Sequence, residues 1–403
     1  MKGDGWTVIR REVNRDDKVT EVKKLIVNEY KKTGGKLKTV FLLGHIPVPY
    51  SGNINPDGHK NHRGAWPADL FYADVDGVWT DTGKHKFYPR TNQANIPNDG
   101  KYDQSNIPPD SLELEVGRVD LTDMPTFEVG EVELLRRYLN KDHFFRHGMM
   151  PVKQAGLIDD NFGSFRGEAF GSSGWSNFSV LMGGDNCVLG DWFTELPVNA
   201  WLWAYGCGGG NNKGANGVGT TYDFHKKGSK AVFTMLFGSY FGDWNMPDNF
   251  LRAPLAAESH GLTCVWDGRP HWYFHHMGMG QNIGYSALRT QGNNSYGDYL
   301  ECDDVRATKS GKRDDAEWNY NPVHVALMGD PTLRMHPLVP VRRLMSELLA
   351  DGKLKLSWSA SSVKDPHYLV YRADSLAGKF KLLTDKPIAA TEYIDADWPR
   401  SEV

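Results

Sequence analysis

Five short apolar runs, each bounded by turn residues, constrain the fold of this chain more than any other feature. They lie in KTVFLLGHIPVP at 38–49, LELEVGRVDL at 112–121, PVKQAGLIDDN at 151–161, NAWLWAYGC at 199–207 and KAVFTMLFGS at 230–239. VFLL, WLWAYG and AVFTMLF are continuous, as strands covered on both faces are, and the other two segments read as further strands. Between them the period changes. Val19, Val22, Leu25, Ile26 and Tyr30 in KVTEVKKLIVNEYKKT fall at helical spacing, PTFEVGEVELLRRYLNKDHFFR predicts a long amphipathic helix, and a short helix is expected around 222–228. Strands alternating with helices predict an α/β fold with a mostly parallel sheet flanked by helices. In such sheets chemistry collects at the carboxyl ends of the strands, and Cys207 stands at one of them, before a glycine-rich loop.

The chain changes character near its end. GKLKLSWSASS, HYLVYRADSLAGKFKLL and ATEYIDAD are short alternating segments with turns between them, the pattern of a β-sandwich. The expected division is therefore 1–148 and 149–337 as two α/β parts, the second carrying Cys207, and 338–403 as a β module. A length of 403 residues accommodates two or three domains. A net charge of −4 without a Lys/Arg cluster gives no reason to expect a nucleic-acid partner. The longest apolar runs are too short to span a bilayer, and the first residues are polar, with no apolar leader. The four cysteines, Cys187, Cys207, Cys264 and Cys302, show no CxxC spacing for zinc.

Two loops are rich in oxygen ligands. Asp74, Asp76 and Asp81 recur around Gly77, and Asn95, Asp99 and Asp103 around Gly100. Alternating carboxylates with a glycine at the bend suit a hard cation, so structural calcium is expected here, although Asp, Asn and Gly also cluster in ordinary surface turns. FGSYFGDWNMPDNFLRAP, after the last long apolar run, offers Tyr240, Asp243, Trp244, Asp248 and Arg252 as pocket-lining candidates. Their bland reading is a surface loop pinned by aromatic packing. For Cys207 the bland reading is a small inert group in a crowded corner.

The order VFLLGHIPVP, PADLFYADVDG, LELEVGRVDL, GLIDDN, NAWLWAYGCGGG, KKGSKAVFTMLFGS and HVALMGDPTLRM resembles that of a gingipain-type, caspase-like (clan CD) cysteine peptidase domain over residues 5–337. The closing segment resembles an incomplete fibronectin type III module, with Trp358, Tyr368 and Tyr371 as its core aromatics. The resemblance implies a secreted or surface peptidase with Cys207 as nucleophile, Gly208 and Gly209 offering oxyanion donors, and Tyr240, Asp243, Trp244 and Arg252 contacting substrate. It implies a protein or peptide substrate, an extracellular location, no organic cofactor and further domains of a longer chain. The usual His-Gly is absent: MGGDN places Gly183, Gly184 and Asp185 where it is expected. Proton transfer is then left to His225 or His271, with Asp185 as a third candidate whose charge would raise the pKa of a nearby thiol. Two other readings stay open. One is a degenerate peptidase fold acting as a surface binding or structural module. The other is a hydrolase using Asp159, Asp160, Asp185 or Asp243.

Overall fold

The computed structural model describes residues 1, 4–83, 90–105, 109, 111–163, 169–268, 272–292, 322–336, 341–361, 365–373 and 381–398. His271 and Cys302 lie outside the described residues. The chain forms two compact units, Met1–Phe145 with Met150–His336, and Pro337–Val403 with Arg146–Met149.

The larger unit is built on one sheet of eight strands: β1 (Thr39–Leu43), β2 (Glu115–Val119), β3 (Lys153–Asp160), β4 (Cys187–Leu189), β5 (Trp201–Cys207), β6 (Ala231–Phe237), β7 (Thr263–Trp266) and β8 (Ala326–Gly329). Their order across the sheet is β1-β2-β8-β7-β6-β5-β3-β4. All neighbours pair in parallel except β7 and β8, where Cys264 faces Met328 in antiparallel register. The fold is thus the expected α/β class, with a mostly parallel sheet that reverses direction once. β5 and β6 are buried along their whole length, which is why their sequences run apolar rather than alternating. β4 is a three-residue edge strand that is largely exposed, a short edge that offers little for another strand to pair with.

Helices cover the sheet where the periodicity placed them. The first spans Val19–Lys32, the long one Glu131–Arg146, and the short one Thr221–Lys226. The long helix is tied to the sheet by Tyr138, whose hydroxyl donates to Leu262 O at 2.8 Å and accepts from Asp330 N at 2.8 Å. Its buried Lys141 donates to the carbonyls of Leu255, Ala257 and Gly261, which close the turn after the Ala253–Ala256 helix. Arg118 on β2 is fully buried and forks onto Asp69, with Nε and Nη2 each 2.8 Å from a carboxylate oxygen, while its plane lies 4.9 Å from the Trp244 ring centroid.

The feature that matters for function is an antiparallel hairpin between Tyr50–Ile54 and Gly64–Pro67. Its connection, residues 55–63, reaches the carboxyl ends of β6 and β7. A Cβ on Gly268, just after β7, would lie 1.8 Å from Pro56 O, so only glycine permits that approach.

In the smaller unit Arg342–Leu348, Leu354–Ser359 and Glu392–Asp395 form an antiparallel sheet, and Tyr371–Arg372 pairs with Lys381–Leu382. Trp358 packs edge-on to Tyr368, with ring centroids 5.3 Å apart, whereas Tyr371 is exposed. These are extra β-sheets following the α/β unit.

Candidate functional site

β3, β5, β6 and β7 run in one direction, so their carboxyl ends meet at one edge of the sheet. The parallel register sets Asp160 and Phe237 level with Cys207 on either side. The Cys207 thiol is fully buried and donates to Asp160 Oδ1 at 3.2 Å, a carboxylate oxygen that also accepts from Phe162 N and Gly163 N at 3.0 Å. Burial first, and then the Asp160 charge and its hydrogen bond, push the thiol well above the ordinary cysteine range. Both influences favour the protonated thiol over the thiolate. The two glycines after it are both tied to neighbouring backbone, Gly208 through its N–H and Gly209 through its carbonyl. Gly208 N already donates to Phe237 O at 3.2 Å, and a Cβ there would meet Asn216 O at 2.3 Å. Gly209 is engaged through its carbonyl, which accepts from Asn216 N at 2.9 Å.

Neither of the two proposed bases among the described residues, His225 and Asp185, is bonded to Cys207. His225, on the Thr221–Lys226 helix, has Nε2 3.7 Å from Glu128 Oε2 and its ring against Phe127. Asp185 is exposed in the turn before β4. Register places it about six residues back along the strands from Cys207, on the order of 20 Å at ~3.3 Å per residue. His271 lies outside the described residues.

A second cluster occupies the end of β6, the strand beside β5. Ser239 follows Gly238, and its Oγ lies 2.7 Å from His59 Nε2, an imidazole delivered by the hairpin connection. Asp57 fastens the two segments together. Its Oδ1 accepts from His59 N at 3.3 Å, and its Oδ2 accepts from Tyr240 N at 3.1 Å and bonds the Nδ1 of buried His62. The His62 and Tyr240 ring centroids are 3.6 Å apart, and the Arg90 guanidinium lies 4.2 Å from the Tyr240 centroid. Arg90 Nη1 is 3.6 Å from Asp243 Oδ2. Asp243 is buried, and neither carboxylate oxygen has a hydrogen-bond partner among the described residues. Burial pushes its pKa up to about 6, with Arg90 opposing and Asp57 adding to the rise.

Of the pocket candidates, Tyr240 and Asp243 therefore belong to this cluster. Arg252 and Trp244 do not, because both are buried among structural partners. Arg252 donates to the carbonyls of Asp120, Thr122 and Met246, and the Trp244 ring is covered by Arg118. Ser239, His59, Asp57, His62 and Arg90 carry no motif that marks them; the one signal is the density of histidine and aspartate in NPDGHKNHRG between two short runs.

Among the expected calcium ligands, Asp74 and Asp76 converge with Glu113, their oxygens within 4.8 Å of one another. Asp81, Asp99, Asp103 and Asn95 are not in that group. Asp81 accepts from Asn98 N and Gly100 N, Asp99 from Ile96 N and Lys101 N, and Asp103 from Thr82 N and Gly83 N. The Asn95 amide donates to Gly52 O and Tyr102 O. Asp99 thus closes its own turn, Asp81 and Asp103 tie the two acidic loops to each other, and Asn95 reaches across to the strand at Gly52.

No family model matches the sequence, and no curated protein matches it. Among solved structures, the chain is similar to the crystal structure of the Arg specific cysteine proteinase gingipain R at 13% identity and a TM-score of 0.49, over 94% of this chain and 87% of that one. A likeness of that size transfers no catalytic residue, and the strand-end cluster stands on its own geometry.

Proposed function

We propose that this chain is a binding module on a peptidase-like α/β fold, that its ligand is a peptide with a basic side chain, and that Cys207 is not a nucleophile. The observation that carries the reading is Asp243, a buried carboxylate without a hydrogen bond among the described residues, facing a guanidinium stacked on Tyr240. Charge on one side and an aromatic face on the other is how proteins hold a planar cation. Arg90, an internal residue, shows which chemistry the place accepts, and an incoming arginine or lysine would take its position. Removing water from Asp243 costs free energy that a well-placed ligand cation offsets.

Calorimetric titration with a short peptide containing arginine, and with the same peptide containing glutamine, tests this. The wild type should prefer the arginine peptide by at least about tenfold, roughly 1.4 kcal/mol. Asp243→Asn should remove the preference, and Arg90→Ala, which takes away the internal occupant, should strengthen binding. Equal affinity for the two peptides in the wild type would end the proposal.

A further inference from the structure

We propose that Ser239 and His59 form a nucleophile–base pair, so that the cleft hydrolyses an acyl bond in what it binds. Which acyl compound is cleaved rests on the basic-peptide reading above; the nucleophile does not.

Several observations carry the pair beyond a casual surface contact. It joins two segments 180 positions apart in the chain, so local sequence does not impose it. Ser239 sits in the turn two residues past the end of a fully buried central strand, so its position is anchored by that strand on one side. A Cβ on the preceding Gly238 would come within 2.7 Å of Gly208 O and 2.5 Å of the Phe241 ring, so the two strand ends are packed as closely as backbone allows. Tyr240, directly after the serine, has φ of 69°, a left-handed conformation that is strained for a bulky side chain. That conformation persists because Asp57 holds Tyr240 N and because His62 and Arg90 pack on its ring. Asp57 also binds the backbone of His59, so one carboxylate sets both the residue that carries the base and the turn that carries the nucleophile. Ser239 is partly open to solvent and His59 is exposed, as a working pair requires.

The chemistry follows from the 2.7 Å contact. With the His59 proton on Nδ1, Nε2 accepts the Ser239 hydroxyl proton as Oγ bonds to the substrate carbonyl carbon. The bond from that carbon to the leaving nitrogen or oxygen then breaks, and the leaving group takes the proton from Nε2. Water attacks the resulting ester, gives its proton to Nε2 and releases the acid, and the proton returns to Oγ. Every atom and proton is accounted for with water as the one co-reactant. Cys207 takes no part.

An uncharged fluorophosphonate, which reports an activated serine without needing a basic side chain, separates this proposal from the binding one. The probe is incubated with the full chain at pH 8, and the adduct is located by peptide mapping. The expected result is a single adduct on Ser239, absent in Ser239→Ala and unchanged in Cys207→Ala. His59→Gln, which keeps a polar group at an exposed position, should slow labelling by at least about 100-fold, the lower range for a general base. Melting curves of each variant confirm that the fold is retained. An adduct elsewhere, no adduct at all in the folded wild type, or equal labelling of folded His59→Gln would overturn the pair. Arginine-peptide binding with no adduct would leave the binding site standing and remove the nucleophile.

Discussion

The Cys207 thiol donates to Asp160 Oδ1 across 3.2 Å, so at this strand end the sulfur keeps its proton next to a carboxylate instead of losing it to a base. A reactive thiol needs the opposite surroundings, a cation or an imidazole that favours the thiolate. Native protein at pH 8, treated with iodoacetamide and mapped by mass spectrometry, should carry the label on Cys187, which is partly exposed, well before Cys207. Unfolding in denaturant should make the two equal. Faster labelling of native Cys207 than Cys187 would restore it as a nucleophile.

The same burial has a consequence at alkaline pH. Cys207 is raised beyond the ordinary range, and fully buried Cys264 is raised to about 12. Their folded pKa values exceed the unfolded ones, so their contribution to stability is complete below about pH 8.5 and is lost as pH rises toward the folded values. Between about pH 9 and 11 each should remove roughly 1.4 kcal/mol per pH unit. Denaturant unfolding across that window should show a shallower fall in Cys264→Ala than in the wild type, whatever its stability at pH 7.

How much of this was legible from sequence depended on whether the cause was local. Buried strands announce themselves as apolar runs because both faces must be covered, and the helix at Val19–Lys32 announces itself through its 3.6-residue period. The reversal between β7 and β8 had no such signature, since strand direction is decided by connections and not by composition. Cys207 was visible as a thiol at a strand end. Asp160 was visible as a carboxylate, but their adjacency exists only through the parallel register of β3 on β5. The hairpin over Tyr50–Pro67 was hidden, because its strands are four and five residues long and rich in glycine and asparagine. Its connection holds His59 and His62, so the imidazoles nearest the site were the ones the sequence offered least reason to choose.

Calcium, expected from the acidic loops, is proposed for Asp74, Asp76 and Glu113. Burial raises the pKa of Glu113, and the charges of Asp76 and Asp74 add to the rise, a repulsion that a hard cation would relieve. The Lys23 ammonium, placed over the Phe71 ring at 4.4 Å, supplies part of that compensation already. Millimolar calcium should therefore raise the melting temperature of the wild type and leave that of Glu113→Gln unchanged. Asp99→Asn, at a carboxylate already closed onto backbone amides, should respond as the wild type does. An undiminished response in Glu113→Gln would place the ion elsewhere or nowhere in this group.

Asp243 ties stability to ligand recognition. Its folded pKa of about 6 lies above the unfolded carboxylate value near 4, so the folded state favours the protonated acid. Its contribution to stability is present below about pH 4 and is lost as pH rises through 6. At neutral pH the ionised carboxylate then costs on the order of 3 kcal/mol even with Arg90 at 3.6 Å opposing the rise. Asp243→Asn keeps the shape without the charge, so it should melt higher than the wild type at pH 7.5 and close to it at pH 4. The same substitution should abolish preference for the arginine peptide, because the cation loses its counter-charge. A destabilised Asp243→Asn at pH 7.5 would mean that the Arg90 pair outweighs the cost of burial, and that Asp243 holds the loop rather than a ligand.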